Sequence, residues 1–202
     1  SCGSLTYVTD VWNKQGFNGK KFNKVAVFAV AKENVLARRL IEDAVVKELG
    51  ANGVSAIVTY DVFPQDTFDK DKDGKVDNSK DAEELIKAKT KELNVDGVLV
   101  LNLKDIKNDR KYVPGVPNYI PTYYYAPYYN YYFMSYDRVY SQGYYVKNTD
   151  VYFESCLYDI NQSELLYSVL SETVNPTSLG DFTKSYSKAL AKTLVDQKVL
   201  LK

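Results

Sequence analysis

The chain has 202 residues, 45% of them hydrophobic and 26% charged, with 26 Lys+Arg set against 26 Asp+Glu. This length and balance suit one globular domain with its own core, and the zero net charge excludes the cationic surplus that a general nucleic-acid binder needs. Histidine is absent, which excludes Ser-His-Asp and Cys-His catalysis and His-ligated zinc, and no apolar run approaches the ~20 residues of a membrane-spanning helix.

The chain opens Ser1-Cys2-Gly3-Ser4. A small residue followed by Cys resembles the processing site of bacterial lipoproteins, in which the leader is cut before the Cys and the Cys is acylated. That resemblance makes Cys2 the expected lipidation site and a lipid bilayer the first expected partner. Acyl chains contribute about 0.8 kcal/mol per buried CH₂, so several together hold a protein on a bilayer. No acidic cluster follows Cys2, so the expected location is the outer membrane, facing the periplasm. Residues 1–21 read as a tether and N-terminal extension, with residues 8–12 packing on the domain.

Residues 22–202 read as a single α/β domain. Residues 24–30 (KVAVFAV) are a short apolar run rich in β-branched side chains, as in a strand buried on both faces. Residues 34–49 follow as a helix. Its expected core stripe is Leu36, Leu40, Ile41, Ala44, Val45 and Leu49, and Gly50 is its expected end. Arg38–Glu42 and Arg39–Asp43 read as solvent-side i,i+4 pairs. Residues 54–60 form a second strand, 79–93 a second helix capped by Asn78 or Ser79, and 95–103 a third strand. Continuous apolar strands joined by helices imply parallel pairing. Residues 144–160 and 164–174 then alternate around a turn at 159–162, which predicts a half-buried antiparallel hairpin. Cys156 lies in the first of these strands and reads as a buried, inert small hydrophobe. A last helix starts at Ser178, with Leu179, Phe182, Tyr186, Leu190 and Leu194 as its buried line. The predicted architecture is a mixed parallel/antiparallel sheet in the order β-α-β-α-β-β-β-α, with helices packed on it.

Three strings, FNKVAVFAVAKENVLARRLIEDAVVKELGANG, VDGVLVLNL and CLYDINQSELLYSVLSETVNP, resemble the DUF4136-like bacterial lipoproteins, commonest in Bacteroidetes-type bacteria. The likeness covers most of the chain from residue 22. Its most specific parts are the Arg-x-x-Ile-Glu core of the first helix (Arg38, Ile41, Glu42) and the hairpin, and it departs at Tyr167, where members often carry Trp. The resemblance implies an α/β fold and an envelope location. It implies no reaction.

Two stretches inside the domain carry candidate sites. In the Asp-rich loop 66–78, Asp69, Asp71 and Asp73 occupy relative positions 1, 3 and 5 of a calcium loop. Gly74 supplies the turn, Lys75 a backbone carbonyl and Asp77 a water-mediated contact. Position 12, normally a bidentate Glu, is Lys80, and Asp81 falls one residue late. The expected ligand is therefore a weakly bound structural Ca²⁺ that pins the entry to the second helix. The Tyr-rich insertion, residues 113–140, carries no charge through residue 135. Tyr119, Tyr123, Tyr124, Tyr125, Tyr128, Tyr129, Tyr131 and Tyr132 alternate with prolines that forbid a helix. Tyrosine offers a flat apolar face with a polar tip and few rotamers to freeze, which suits a contact surface. Such a stretch fits a cover over its own domain, a docking surface for an envelope protein or polysaccharide, or a membrane-interface skirt. With no basic residues interleaved, nucleic-acid stacking is not expected.

The function expected from these readings is a non-catalytic binding or structural module of the cell envelope. The alternative is a metal- or carboxylate-dependent hydrolase acting on envelope glycans. The loop makes the first testable statement. Titrating metal-free protein with millimolar Ca²⁺ in a calorimeter should release heat that is lost in Asp71→Ala, and silence in both proteins removes the site.

Overall fold

The computed structural model describes residues 3–31, 34–64, 67–68, 79–107 and 150–202. The elements are β1 (Leu5–Asn13), β2 (Val25–Val30), α1 (Val35–Ala51), β3 (Ala56–Val58), α2 (Ser79–Glu92), β4 (Gly97–Lys107), β5 (Asp150–Asp159), β6 (Glu164–Val174) and α3 (Leu179–Asp196). The strands form one six-stranded sheet in the order β1-β6-β5-β4-β2-β3. β2 pairs in parallel with β3 and β4, and β4–β5, β5–β6 and β1–β6 are antiparallel. The α/β class and the mixed sheet are those predicted, with one strand added at the front.

That added strand is the main correction to the N-terminal reading. Residues 5–13 are not a tether: β1 pairs along β6 from Leu5↔Val174 to Asn13↔Tyr167, with a bulge between Val8 and Asp10. Its alternation was diluted by the polar Thr9 and Asp10, which sit where the bulge breaks the period. The parallel unit is as expected at its centre, where all six residues of β2 are buried. β3 is shorter than the apolar run suggested and lies at the far edge of the sheet.

The two sheet faces collect separate cores. On one, Val25, Val27 and Ala29 of β2 and Leu99 and Leu101 of β4 meet Ile41, Val45 and Leu49 of α1 and Phe182, Tyr186 and Leu190 of α3. Phe153 of β5 packs there against Phe182 and Tyr186, with ring centroids 5.0 Å away in each case. On the other face, Ala26, Phe28 and Val30 meet Ala82 and Ile86 of α2, with Phe63 stacked on Phe28 at 5.5 Å. Successive side chains of a strand point to opposite faces, so one continuous apolar run feeds both cores. β5 behaves the same way. It is buried almost throughout rather than on alternate residues, and Cys156 within it is fully buried.

Helix α1 is rotated relative to the predicted stripe. Asn34 caps it, its side chain accepting from the Ala37 amide, and the helix runs through Gly50 to a cap at Asn52. The turn into β3 is made by Gly53, whose φ of 83° is in the left-handed region. Its buried line is Ala37, Arg38, Ile41, Glu42, Val45 and Leu49, while Leu36 is 63% exposed. Arg38 and Glu42 are therefore interior residues, not a surface pair. Glu42 Oε1 accepts from Arg38 Nε (3.0 Å), Thr59 Oγ1 (3.0 Å) and Ala29 N (3.2 Å), and Oε2 accepts from Thr59 N (2.5 Å) and Tyr60 N (3.0 Å). Arg38 donates onward to the Phe63 carbonyl (2.8 Å) and Thr59 Oγ1 (3.2 Å). The pair is satisfied by the chain around it, the condition under which buried charges are tolerated.

Burial pushes the Glu42 carboxyl above its ordinary range, and Arg38 and the Thr59 and Ala29 amides pull it part of the way back. Arg38→Ala should cost about 3–5 kcal/mol, because it strands a carboxylate in the interior. It should also raise the Glu42 pKa further. A raised acid pKa in the folded state favours the protonated fold, so the variant should lose stability as pH rises from about 4 towards neutrality. Denaturant melts across that range check both the size and the sign.

Candidate functional site

The parallel strands β2 and β4 point the same way, and their C-terminal ends define one end of the sheet. The crossovers that leave β2 and β3 there pass to opposite faces, as α1 and α2. In open α/β sheets this switch point is where ligands bind. The structure brings further chain to the same end. Lys107, the last residue of β4, pairs with Asp150, the first of β5, and Val174 and Leu5 close the row beyond them.

Arg38 and Glu42 fix the floor of this end by pinning residues 59–63 as they leave β3. Above them Tyr60 donates its hydroxyl to Asp43 at 2.6 Å, and Arg39 lies over its ring at 5.0 Å. The hydrogen bond to Asp43 is the main reason the Tyr60 hydroxyl is pushed up to about 12. The predicted Arg39–Asp43 surface pair is thus bridged by an aromatic ring from the next loop. Val35 and Leu36 stand exposed at the start of α1 on this same end.

The N-terminus is tied in beside α3. Ser178 caps α3, its Oγ accepting from the Asp181 amide at 3.1 Å, as the sequence predicted. Asp181 then works outward. One carboxylate oxygen accepts from the Ser4 amide at 3.0 Å, and the other from the Thr177 amide and hydroxyl at 3.0 and 3.1 Å. The Thr177 and Ser4 amides hold its carboxyl below the usual range. Gly3 is thereby held against the first turn of α3.

The predicted site residues distribute as follows. Cys2, the loop residues Asp69, Asp71, Asp73, Lys75 and Asp77, and all eight tyrosines from Tyr119 to Tyr132 lie outside the described residues. Asp81 is described, in the first turn of α2. Four described residues that border these stretches, Gly3, Ser79 at the start of α2 and the paired Lys107 and Asp150, belong to the C-terminal end of the sheet.

Two open grooves border the described surface. One, of about 260 Å³, lies at the opposite end of the sheet around Lys14, Phe17, Lys20 and Asp159, where Lys20 pairs with Asp159 at 2.8 Å. The other, of about 490 Å³, runs between residues 3–6 and the exposed Lys184, Lys188 and Lys192 of α3. Sequence reasoning missed this lysine row. Its i, i+4, i+8 spacing was readable, but which neighbour the helix would present it to was not.

No family model and no curated protein matches the chain. Among solved structures it is similar to a PelC dodecamer from Paraburkholderia phytofirmans, at 14% identity and a TM-score of 0.46, over 96% of this chain and 99% of that one. A singly substituted form of that dodecamer gives 14% identity and 0.45, over 90% and 96%. At these values the likeness carries no functional argument.

Asp181→Ala should release residues 3–6 and weaken the first turn of α3. The expected loss is about 1 kcal/mol, typical of a helix-terminal contact, with faster amide exchange at residues 3–6. Because the Asp181 pKa is depressed in the fold, its contribution is present at neutral pH and lost as pH falls through that depressed value. The difference between wild type and variant should therefore close in acid.

Proposed function

We propose that the protein is a DUF4136-like cell-envelope lipoprotein, held at the outer membrane through an acylated Cys2 and facing the periplasm. In this reading it is a binding or structural module without catalysis, and its contact surface is the tyrosine stretch. One observation supports it. Gly3, one residue after Cys2, lies at the same end of the sheet as Lys107 and Asp150, from which the tyrosine-bearing stretch leaves and to which it returns. An anchor and an aromatic surface with neighbouring attachment points suit a module that works close to a bilayer. Ser79, where the acidic loop joins α2, lies at that end as well. A weakly bound Ca²⁺ in that loop would serve to fix its geometry.

The hydrolase alternative has less support. Glu42, the carboxyl that burial pushes upward, has both oxygens occupied by Arg38, Thr59 and backbone amides. A general acid needs a free approach to its substrate.

Two variants test the proposal in the native organism. Replacing residues 118–132 by a Gly-Ser linker should leave the melting temperature unchanged and abolish crosslinking to envelope components. A fallen melting temperature with crosslinks retained would instead make the stretch a cover for its own domain. Cys2→Ala should move the protein from the membrane to the soluble fraction, and retention on the membrane would remove the anchor from the reading.

A further inference from the structure

β1 is an edge strand, and among the described residues its outer side carries no neighbour in the sheet. Edges of this kind are normally protected by lysine, proline or a covering element. β1, with the sequence LTYVTDVWN, has neither residue type. Its bulge between Val8 and Asp10 interrupts the far half, leaving residues 5–8 as a regular open edge. That edge is apolar: Leu5 is 61% and Tyr7 52% exposed.

The groove of about 490 Å³ reaches the first two residues of this segment, Leu5 and Thr6. Thr6 points to its α3 side, bonded to Thr173 at 2.7 Å and to Ser185 at 2.9 Å. By alternation Leu5 and Tyr7 point to the other face. Across the groove stand Lys184, Lys188 and Lys192. Lys192 pairs with Asp196, while Lys184 and Lys188 have no carboxylate partner among the described residues. β1 and α3 both start at the same end of the sheet and run the same way, so the lysine row is aligned with the open edge.

The spacings agree. Four residues of helix advance about 6 Å, and two residues of strand advance about 6.6–6.8 Å. A strand added to β1 would therefore bring every second side chain opposite one lysine. The side chains between would lie on the face of Leu5 and Tyr7, as cross-strand neighbours.

We propose that the outer edge of β1 and the lysine row of α3 together receive an extended segment of a partner protein. The segment adds to the sheet as a further strand, with acidic side chains at alternate positions and apolar ones between. Main-chain bonds to the edge supply affinity, and the alternating side chains supply specificity. Two other occupants fit less well. A flat layer of anionic headgroups at the Gly3 end would meet Lys184 but not a row that runs about 12 Å away along the helix axis. A second copy joined through β1 by a two-fold axis would set two lysine rows side by side. This inference stands apart from the lipoprotein reading and needs neither Cys2 nor the tyrosine stretch.

The test uses the whole chain and a short peptide of alternating Glu and Val, with a peptide of the same composition in which Glu and Val form separate blocks. The alternating peptide should bind in a calorimeter and slow amide exchange at residues 5–8. Lys184→Glu with Lys188→Glu should weaken it by about tenfold or more, as expected for two lost charge pairs. Both lysines are exposed, so the double variant should melt as wild type does. The proposal is overturned by absence of binding, by equal binding of the blocked peptide, by binding without slowed exchange, or by unchanged affinity in the double variant. It is also overturned if the chain instead binds phosphatidylglycerol vesicles through these lysines. Self-association that Leu5→Lys abolishes would assign the edge to a second copy and overturn it too.

Discussion

A buried carboxylate fixes how α1 sits on the parallel half of this fold. Glu42 of α1 accepts hydrogen bonds from β2 at Ala29, from the exit of β3 at Thr59 and Tyr60, and from Arg38 one turn earlier on its own helix. Arg38 extends the reach to Phe63. A helix that packs on a sheet through aliphatic side chains alone can slide. This one is fixed by directional bonds to two strands. An interior ion pair is poor evidence of net stability, because desolvation of both charges opposes it. Its consequence here is geometric: residues 59–63 leave the sheet on a defined path and deliver Phe63 onto Phe28.

The antiparallel half is organised differently. β5 is central and buried on both faces, β6 carries β1 on its outer side, and α3 closes one face through Phe182, Tyr186 and Leu190 against Phe153. The N-terminal strand is held twice, by β6 along its length and by Asp181 at its start. The two halves share β4, whose one edge pairs in parallel with β2 and the other antiparallel with β5. That strand passes from one kind of pairing to the other without a change of sequence character, since both settings bury its two faces.

The two ends of the sheet differ in what the described chain brings to them. The C-terminal end of the parallel strands gathers the start of the chain, the start of α2 and the two ends that flank residues 108–149. The opposite end carries short turns such as that at Ser163, whose φ of 52° and neighbouring Asp159–Asn161 hydrogen bond mark a tight reversal. The described residues that border the candidate stretches therefore lie at one end of the sheet.

Periodicity along the chain was enough for the α/β class, for β2 as a strand buried on both faces, for α2, for the cap at Ser178 and for the buried line of α3, because each depends on neighbours within a few residues. The acidic loop and the tyrosine stretch were likewise read from local pattern, and both lie outside the described residues. Only the tertiary structure decided that residues 5–13 are a strand, since a bulge hides their alternation until β6 supplies the partner. It alone turned Arg38 and Glu42 inward, because a charged pair at i,i+4 reads as solvated until the backbone amides of other elements are brought to it. It alone set three lysines of α3 beside an open strand edge, a juxtaposition of residues about 180 positions apart that no local pattern encodes.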